Sequence, residues 1–176
     1  EGRKIYEYND ERHFQRCDYV SSVSMFSMEY IRNNFNLPDI KSWNVIYNPI
    51  EKSFLKKSEP VDNDNVLFIG KLTETKGCFS LINAFNICAG NQSNLHLRLA
   101  GIGDEEAVKA IIDSRFSDRV HFLGYCDRDR LKEEIDNCSF ACIPSYFESF
   151  GMVAVEVMGR GRTIIYTDRT SGPELI

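Results

Sequence analysis

The chain has 176 residues, 43% of them hydrophobic and 27% charged, and a formal net charge of −5. That supplies at least one full core, and the acidic balance argues against a general nucleic-acid binder while leaving room for a local basic pocket. No apolar run reaches the length a membrane-spanning helix needs, and the polar opening EGRKIYEYND carries no signal-peptide pattern. The absence of an initiator Met and the ending at SGPELI lead us to expect a piece of a longer protein. Six cysteines (Cys17, Cys78, Cys88, Cys126, Cys138 and Cys142) contain no CxxC pair and have no His at ligand spacing. Several fall in apolar runs, so reduced structural thiols in a cytoplasmic protein are expected, with no metal site.

In chain order, residues 1–16 read as a helix with scattered apolar positions. DYVSSVS is a short strand-like run, and MFSMEYIRNNF reads as an amphipathic helix with Phe26, Tyr30 and Ile31 at helical spacing. WNVIYNPI is another strand, broken at Asn48-Pro49. We expect residues 1–50 to be the last βα unit of a preceding domain and the polar, Pro60-containing stretch 51–64 to be a linker. From Asn65 the rhythm becomes regular. Strand NVLFIG leads to helix FSLINAFNICA, with Leu81, Ile82, Phe85, Cys88 and Ala89 as its apolar stripe. Strand LHLRLAG is followed by a helix from about Asp104 to Phe116 carrying Val108, Ile111 and Ile112. Then come strand RVHFLG, helix DRLKEEIDNC facing in with Leu131 and Ile135, strand FACIPS, helix ESFGMVAVEVM, strand TIIYTD and a helix start at PELI. Strands alternating with helices predict an α/β domain over 65–176: a Rossmann-like parallel sheet with helices on both faces. Ligands of such sheets bind beyond the carboxyl ends of the strands.

The polar oddities fall at those ends. GKLTETKG places Gly70 at a tight turn, with Lys71 and Lys76 able to set positive charge on a diphosphate or simply to be solvated. It is not the phosphate loop GxxxxGK[ST]. AGIGDEE lacks the third glycine of a dinucleotide fingerprint, and Asp104 reads as a helix N-cap. Close approach of a ligand to the backbone at Gly101 stays open, and Tyr125 could border a base pocket. His96 and His121 alternate with apolar neighbours, as core or sheet-face residues do.

In ESFGMVAVE a strand end, two carboxylates and a helix start come together. The first N–H groups of a helix lack intrahelical partners and attract anions. Glu148 and Glu156 bracket them, at most ~12 Å apart along the helix. Glu156 is the only charge in an apolar helix, and a buried carboxylate needs a partner or a cleft. The alternative to function is a salt bridge to Arg160, one turn on. Glu148 reads equally as a ligand contact or as a first-turn acid favouring the helix dipole.

Taken together, GKLTETKG, AGIGDE, VHFLG, IPSYFESFGMVAVE and SGPELI resemble, in order and at fitting spacing, the donor-binding domain of GT-B-fold retaining glycosyltransferases of family 4. The resemblance implies the C-terminal half of a GT-B fold, truncated at its end, that takes a nucleotide-diphosphate sugar and transfers the sugar to an acceptor with retention. It implies that Glu148 contacts the sugar hydroxyls and Glu156 the ribose hydroxyls. The N–H groups of Phe150, Gly151 and Met152 would hold the distal phosphate, and Lys71 and Lys76 would stabilise the departing diphosphate. Fixed cations and N–H groups act where that negative charge develops, and losing one such donor costs roughly 3–4 kcal/mol in comparable sites. No cofactor or metal is implied, and no nucleic acid. A carbohydrate, lipid-linked or other glycan acceptor would bind through the amino-terminal domain, which also holds the family's catalytic histidine, and peripheral membrane association of a longer protein is compatible with this. The isolated piece is then expected to bind nucleotide without turnover. Lys71 stands where the family has Arg, losing the bidentate fork, and Ser149 replaces the commoner Gly. Two other readings are a noncatalytic nucleotide-sugar binding module and an NAD-dependent oxidoreductase.

Overall fold

The computed structural model describes residues 12–176; the helix expected over 1–16 lies mostly outside them, and 12–14 are helical. First come β1 (Tyr19–Ser22), α1 (Met25–Asn34) and β2 (Ser42–Val45), with the two strands paired in parallel. The Ser24 side chain accepts from Ser27 N and caps α1, satisfying one of the donors a helix start leaves open. The expected stripe of Phe26, Tyr30 and Ile31 is not the buried one: Met28 is. Phe26 and Tyr30 instead set their rings edge-on to Phe147, centroids 5.8 and 5.7 Å away. A 3-10 turn at Lys52–Leu55 then buries Phe54.

From Asn65 the elements alternate as the sequence predicts: β3 (Asn65–Ile69), α2 (Cys78–Ala89), β4 (His96–Ala100), α3 (Glu105–Ala110), β5 (Val120–Gly124), α4 (Arg128–Asp136), β6 (Phe140–Ile143), α5 (Met152–Gly159), β7 (Thr163–Tyr166) and α6 (Gly172–Leu175). The five strands form one parallel sheet in the order β5-β4-β3-β6-β7. Successive side chains of a strand point to opposite faces, and β3 uses both. Val66 and Phe68 join Leu81, Ile82 and Phe85 of α2 and Val108 of α3 in one apolar cluster. Leu67 and Ile69 join Phe54, Ile135 of α4 and Val157 of α5 in the other. Each such side chain, fully buried, contributes about 1.5–3 kcal/mol, which explains a central strand with hardly a polar residue.

Two expectations are corrected. Cys88 is exposed and off the α2 stripe, whose buried members are Cys78, Leu81, Ile82, Phe85 and Ala89. The helix from Asp104 to Phe116 is two pieces, α3 and a 3-10 turn at Ser114–Arg119. The break has a local cause. The Asn86 side chain, from α2, donates to Ile111 O at 2.8 Å and accepts from Asp113 N at 3.0 Å, and Asp113 then caps the next turn through Arg115 N. Asp104 is the N-cap of α3, as expected, accepting from Ala107 N.

Candidate functional site

The sheet turns outward in both directions from its middle. β3 connects to β4 on one side and β6 to β7 on the other, so a crevice opens between the carboxyl ends of β3 and β6, the switch point where open α/β sheets take ligands. GKLTETKG leaves β3 and PSYFESFG leaves β6, and Tyr146 N donates to Thr75 O at 2.9 Å, tying the two loops together. Across this crevice Lys76 Nζ meets Glu148 Oε1 at 2.6 Å, and Ser145 Oγ donates to the same oxygen at 3.2 Å.

Gly151 begins α5 at φ +95°, and a Cβ there would stand 2.1 Å from Tyr166 Oη. Only glycine fits that turn. The open N–H groups at the start of α5 border a cleft of about 250 Å³ lined among others by Lys76, Glu148, Phe150, Gly151, Met152 and Tyr166. The turn is gripped from several sides. Phe150 O accepts from Ser171 Oγ at 2.7 Å, and Ser149 O accepts from Ser24 Oγ at 2.5 Å and Ser27 Oγ at 2.9 Å. The buried Phe150 ring lies 5.8 Å from that of Tyr47. The Tyr166 hydroxyl is buried without a hydrogen-bond partner. Burial and the nearby Glu148 carboxylate push its phenol up to about 12, against a smaller opposing pull from Ser171, whose proton already goes to Phe150 O.

A second cleft, about 200 Å³, adjoins the first through Ile69 and Gly70 and is lined also by Lys71, Gly101, Tyr125 and Leu131. Tyr125 stands exposed at its rim. Gly101 also has a packing role: its missing Cβ would lie 1.8 Å from Gly70 O, so its smallness lets two loop backbones pack beside the cleft it lines.

Glu156 is buried, as its apolar helix predicts, but its partner is not Arg160. Arg128 Nη1, from the first turn of α4, reaches Glu156 Oε1 at 2.7 Å, while Arg160 forks onto Asp136. Sequence reasoning missed Arg128, Tyr166 and Ser171. It also missed a contact at the far end of the chain: the Glu174 carboxylate accepts from Met25 N at 2.8 Å and Phe26 N at 2.6 Å, holding the start of α1. The closing SGPELI stretch was the one signal for Glu174.

Lys76, Glu148 and the α5 start are thus one constellation, Lys71 and Tyr125 line the adjoining cleft, and Glu156 lines neither. A sequence model of the glycosyl transferases group 1 family matches residues 49–176. The chain belongs to that family. Within it, an uncharacterized glycosyltransferase of Methanocaldococcus jannaschii, MJ1607, is 32% identical over 168 residues, covering 86% of this chain and 42% of that relative. The chain therefore spans less than half the length of this curated relative. Among solved structures, Anabaena Alr3699/HepE in complex with UDP-glucose superposes with a TM-score of 0.78 at 21% identity, over 98% of this chain and 51% of that one. S. aureus TarM, solved as a point mutant with fondaparinux, alpha-GlcNAc-glycerol and UDP, gives 0.79 at 17% identity, over 96% and 33%. The five-stranded parallel sheet and its flanking helices match the carboxyl-terminal domains of GT-B glycosyltransferases. Among the described residues no helix is long and apolar enough to cross a membrane.

Proposed function

We propose that this chain carries the nucleotide-sugar half of a retaining glycosyltransferase of hexosyltransferase type, with residues 1–50 ending an acceptor domain, 51–64 linking it and 65–176 binding the donor. The observation that carries the reading is the Lys76–Glu148 pair set against the start of α5 in the switch-point crevice. Lys76 and the N–H groups of Phe150, Gly151 and Met152 seat the distal phosphate, and Lys71 supports it from the adjoining cleft beside Gly70. Glu148 faces the sugar hydroxyls. Glu156 takes the ribose hydroxyls, and Tyr125 borders the base. As the sugar–phosphate bond breaks, negative charge grows on the diphosphate, where fixed cations and N–H dipoles stabilise it most. These groups supply the neutralisation themselves, so the reading requires no metal. The acceptor is a glycan or another carbohydrate-bearing molecule bound by the amino-terminal domain, in keeping with the UDP-glucose and the alpha-GlcNAc-glycerol in the two similar structures. Free thiols at all six cysteines fit a reducing compartment such as the cytoplasm.

Calorimetric titration of the chain with UDP, GDP and ADP tests this. Saturable binding of at least one is expected, without sugar transfer by the chain alone. Saturation by none of them overturns the reading.

A further inference from the structure

Glu156 is satisfied, yet by an unusual partner. Its side chain is 7% exposed, whereas that of Arg128 is 56% exposed and is shared with a second carboxylate, Glu51, itself 48% exposed. Arg128 Nη1 reaches Glu156 Oε1 at 2.7 Å and Arg128 Nε reaches Glu51 Oε2 at 3.2 Å. The guanidinium also lies 5.3 Å from the centre of the Phe54 ring. Glu134, 10% exposed, is held at 2.8 and 2.9 Å by both arms of an Arg98 fork that is 28% exposed. Arg128 instead covers Glu156 from the solvent side and keeps a second anchorage outside.

The chemistry of the two possible occupants is alike. Arg128 gives Glu156 one charge-assisted N–H donor, Nη1 on Oε1, and a vicinal diol gives two O–H donors to the same carboxylate. Arg128 lies three residues past Tyr125, which lines the cleft next to the phosphate seat. Resting on the proposed donor site, we propose that Arg128 is a built-in competitor for the nucleotide's ribose. In this structure it holds Glu156. When the ribose diol arrives it lets go and stays on Glu51 and Phe54, so the diol's O–H groups replace the Arg128 N–H without leaving a buried carboxylate bare. A ligand with one ribose hydroxyl offers the carboxylate one donor where the diol offers two, which makes the exchange a filter for ribonucleotides over deoxyribonucleotides.

The test is calorimetry of wild type, Arg128→Gln and Glu51→Gln with UDP, GDP and ADP and with the 2′-deoxy form of whichever binds, each protein first checked by thermal melting. Arg128→Gln is expected to tighten the ribonucleotide several-fold and the deoxy form less. Glu51→Gln, which leaves Arg128 only Glu156 to hold, is expected to weaken the ribonucleotide. Glu51→Gln carries the test alone if Arg128→Gln does not fold. Weaker or unchanged ribonucleotide binding in Arg128→Gln, an equal gain for the deoxy form, or unchanged binding in Glu51→Gln overturns the competitor role while leaving the donor site standing. If neither wild type nor variant binds any nucleotide, the donor-site reading falls and this inference with it.

Discussion

The Lys76 ammonium and the Glu148 carboxylate, 72 positions apart in the chain, meet at 2.6 Å across the switch point of the sheet. Each therefore holds the other in the empty site, and substituting one changes what the other offers a ligand. Lys76→Ala is expected to weaken nucleoside diphosphate binding at least ~10-fold, since a hydrogen bond to a charged group contributes about 1.5–3 kcal/mol. Glu148→Gln is expected to leave nucleoside diphosphate affinity equal or higher, because Lys76 is released, while lowering affinity for the nucleotide-sugar. Calorimetry with both ligands reads the difference; parallel losses in Glu148→Gln would remove Glu148 from the sugar.

Glu156→Ala separates binding from folding. Arg128 keeps Glu51, so the folded chain loses little more than the packing of one side chain, about 1–2 kcal/mol. Nucleotide affinity is expected to fall at least ~10-fold. Urea unfolding and calorimetry on the same preparation check both; unchanged affinity would return Glu156 to a purely structural pair.

Gly151→Ala combines a positive φ with a Cβ aimed at Tyr166 Oη. A destabilisation of about 1–3 kcal/mol is expected. Adding Tyr166→Phe removes the atom in the way, so the double variant should lose less than the sum of the two single ones, a coupling that urea denaturation measures directly.

Asp136 gives the pH dependence. Burial works to raise its pKa, but the Arg160 guanidinium bonded to it, with Ser58 and the charge of Arg162 nearby, outweighs that and holds the carboxyl below its ordinary 3.8. A carboxylate lowered on folding contributes stability above that ordinary value and loses it as pH falls through the folded one. Wild type should thus lose more stability on acidification below pH ~4 than Asp136→Asn does. At neutral pH the variant leaves buried Arg160 without its counter-charge, at a cost of about 3–5 kcal/mol.

His121 is held below its ordinary 6.5 by burial first, then by the charges of His96 and Arg98, with Asp118 opposing. Its ring nitrogen lies 3.1 Å from that of His96. Proton NMR should find the His121 midpoint under 6.5 and find it moving up in His96→Gln. No rise would remove the His96 charge as a cause.

The fold was legible because burial on both faces writes itself into the sequence. Val66, Leu67, Phe68 and Ile69 in a row admit no solvent side, and each following helix carries its own apolar spacing. That Lys76 and Glu148 stand at the carboxyl ends of the strands was legible too, since a parallel sheet gathers its chemistry there, but their pairing with each other was not. Arg128 was not. In DRDR it reads as one more solvated charge at a helix start, and its contact with Glu156 spans 28 positions that no local periodicity records. The break after Ala110 escaped for the same reason: the Asn86 amide that ends the helix comes from a different one. Phe26 and Tyr30 have helical spacing, but the partner they found, Phe147, belongs to a loop.

The strand order has a consequence for how the chain comes into being. As it leaves the ribosome, β3, β4 and β5 can pair at once, but β3 then stays an open edge until β6 emerges some seventy residues after it. The crevice is the joint between an early half and a late half, with Lys76 on the first and Glu148 on the second. On the proposed donor reading, a nucleotide lodged there would bridge the two, binding the completed fold and not its precursor, and so would act on the last step of assembly.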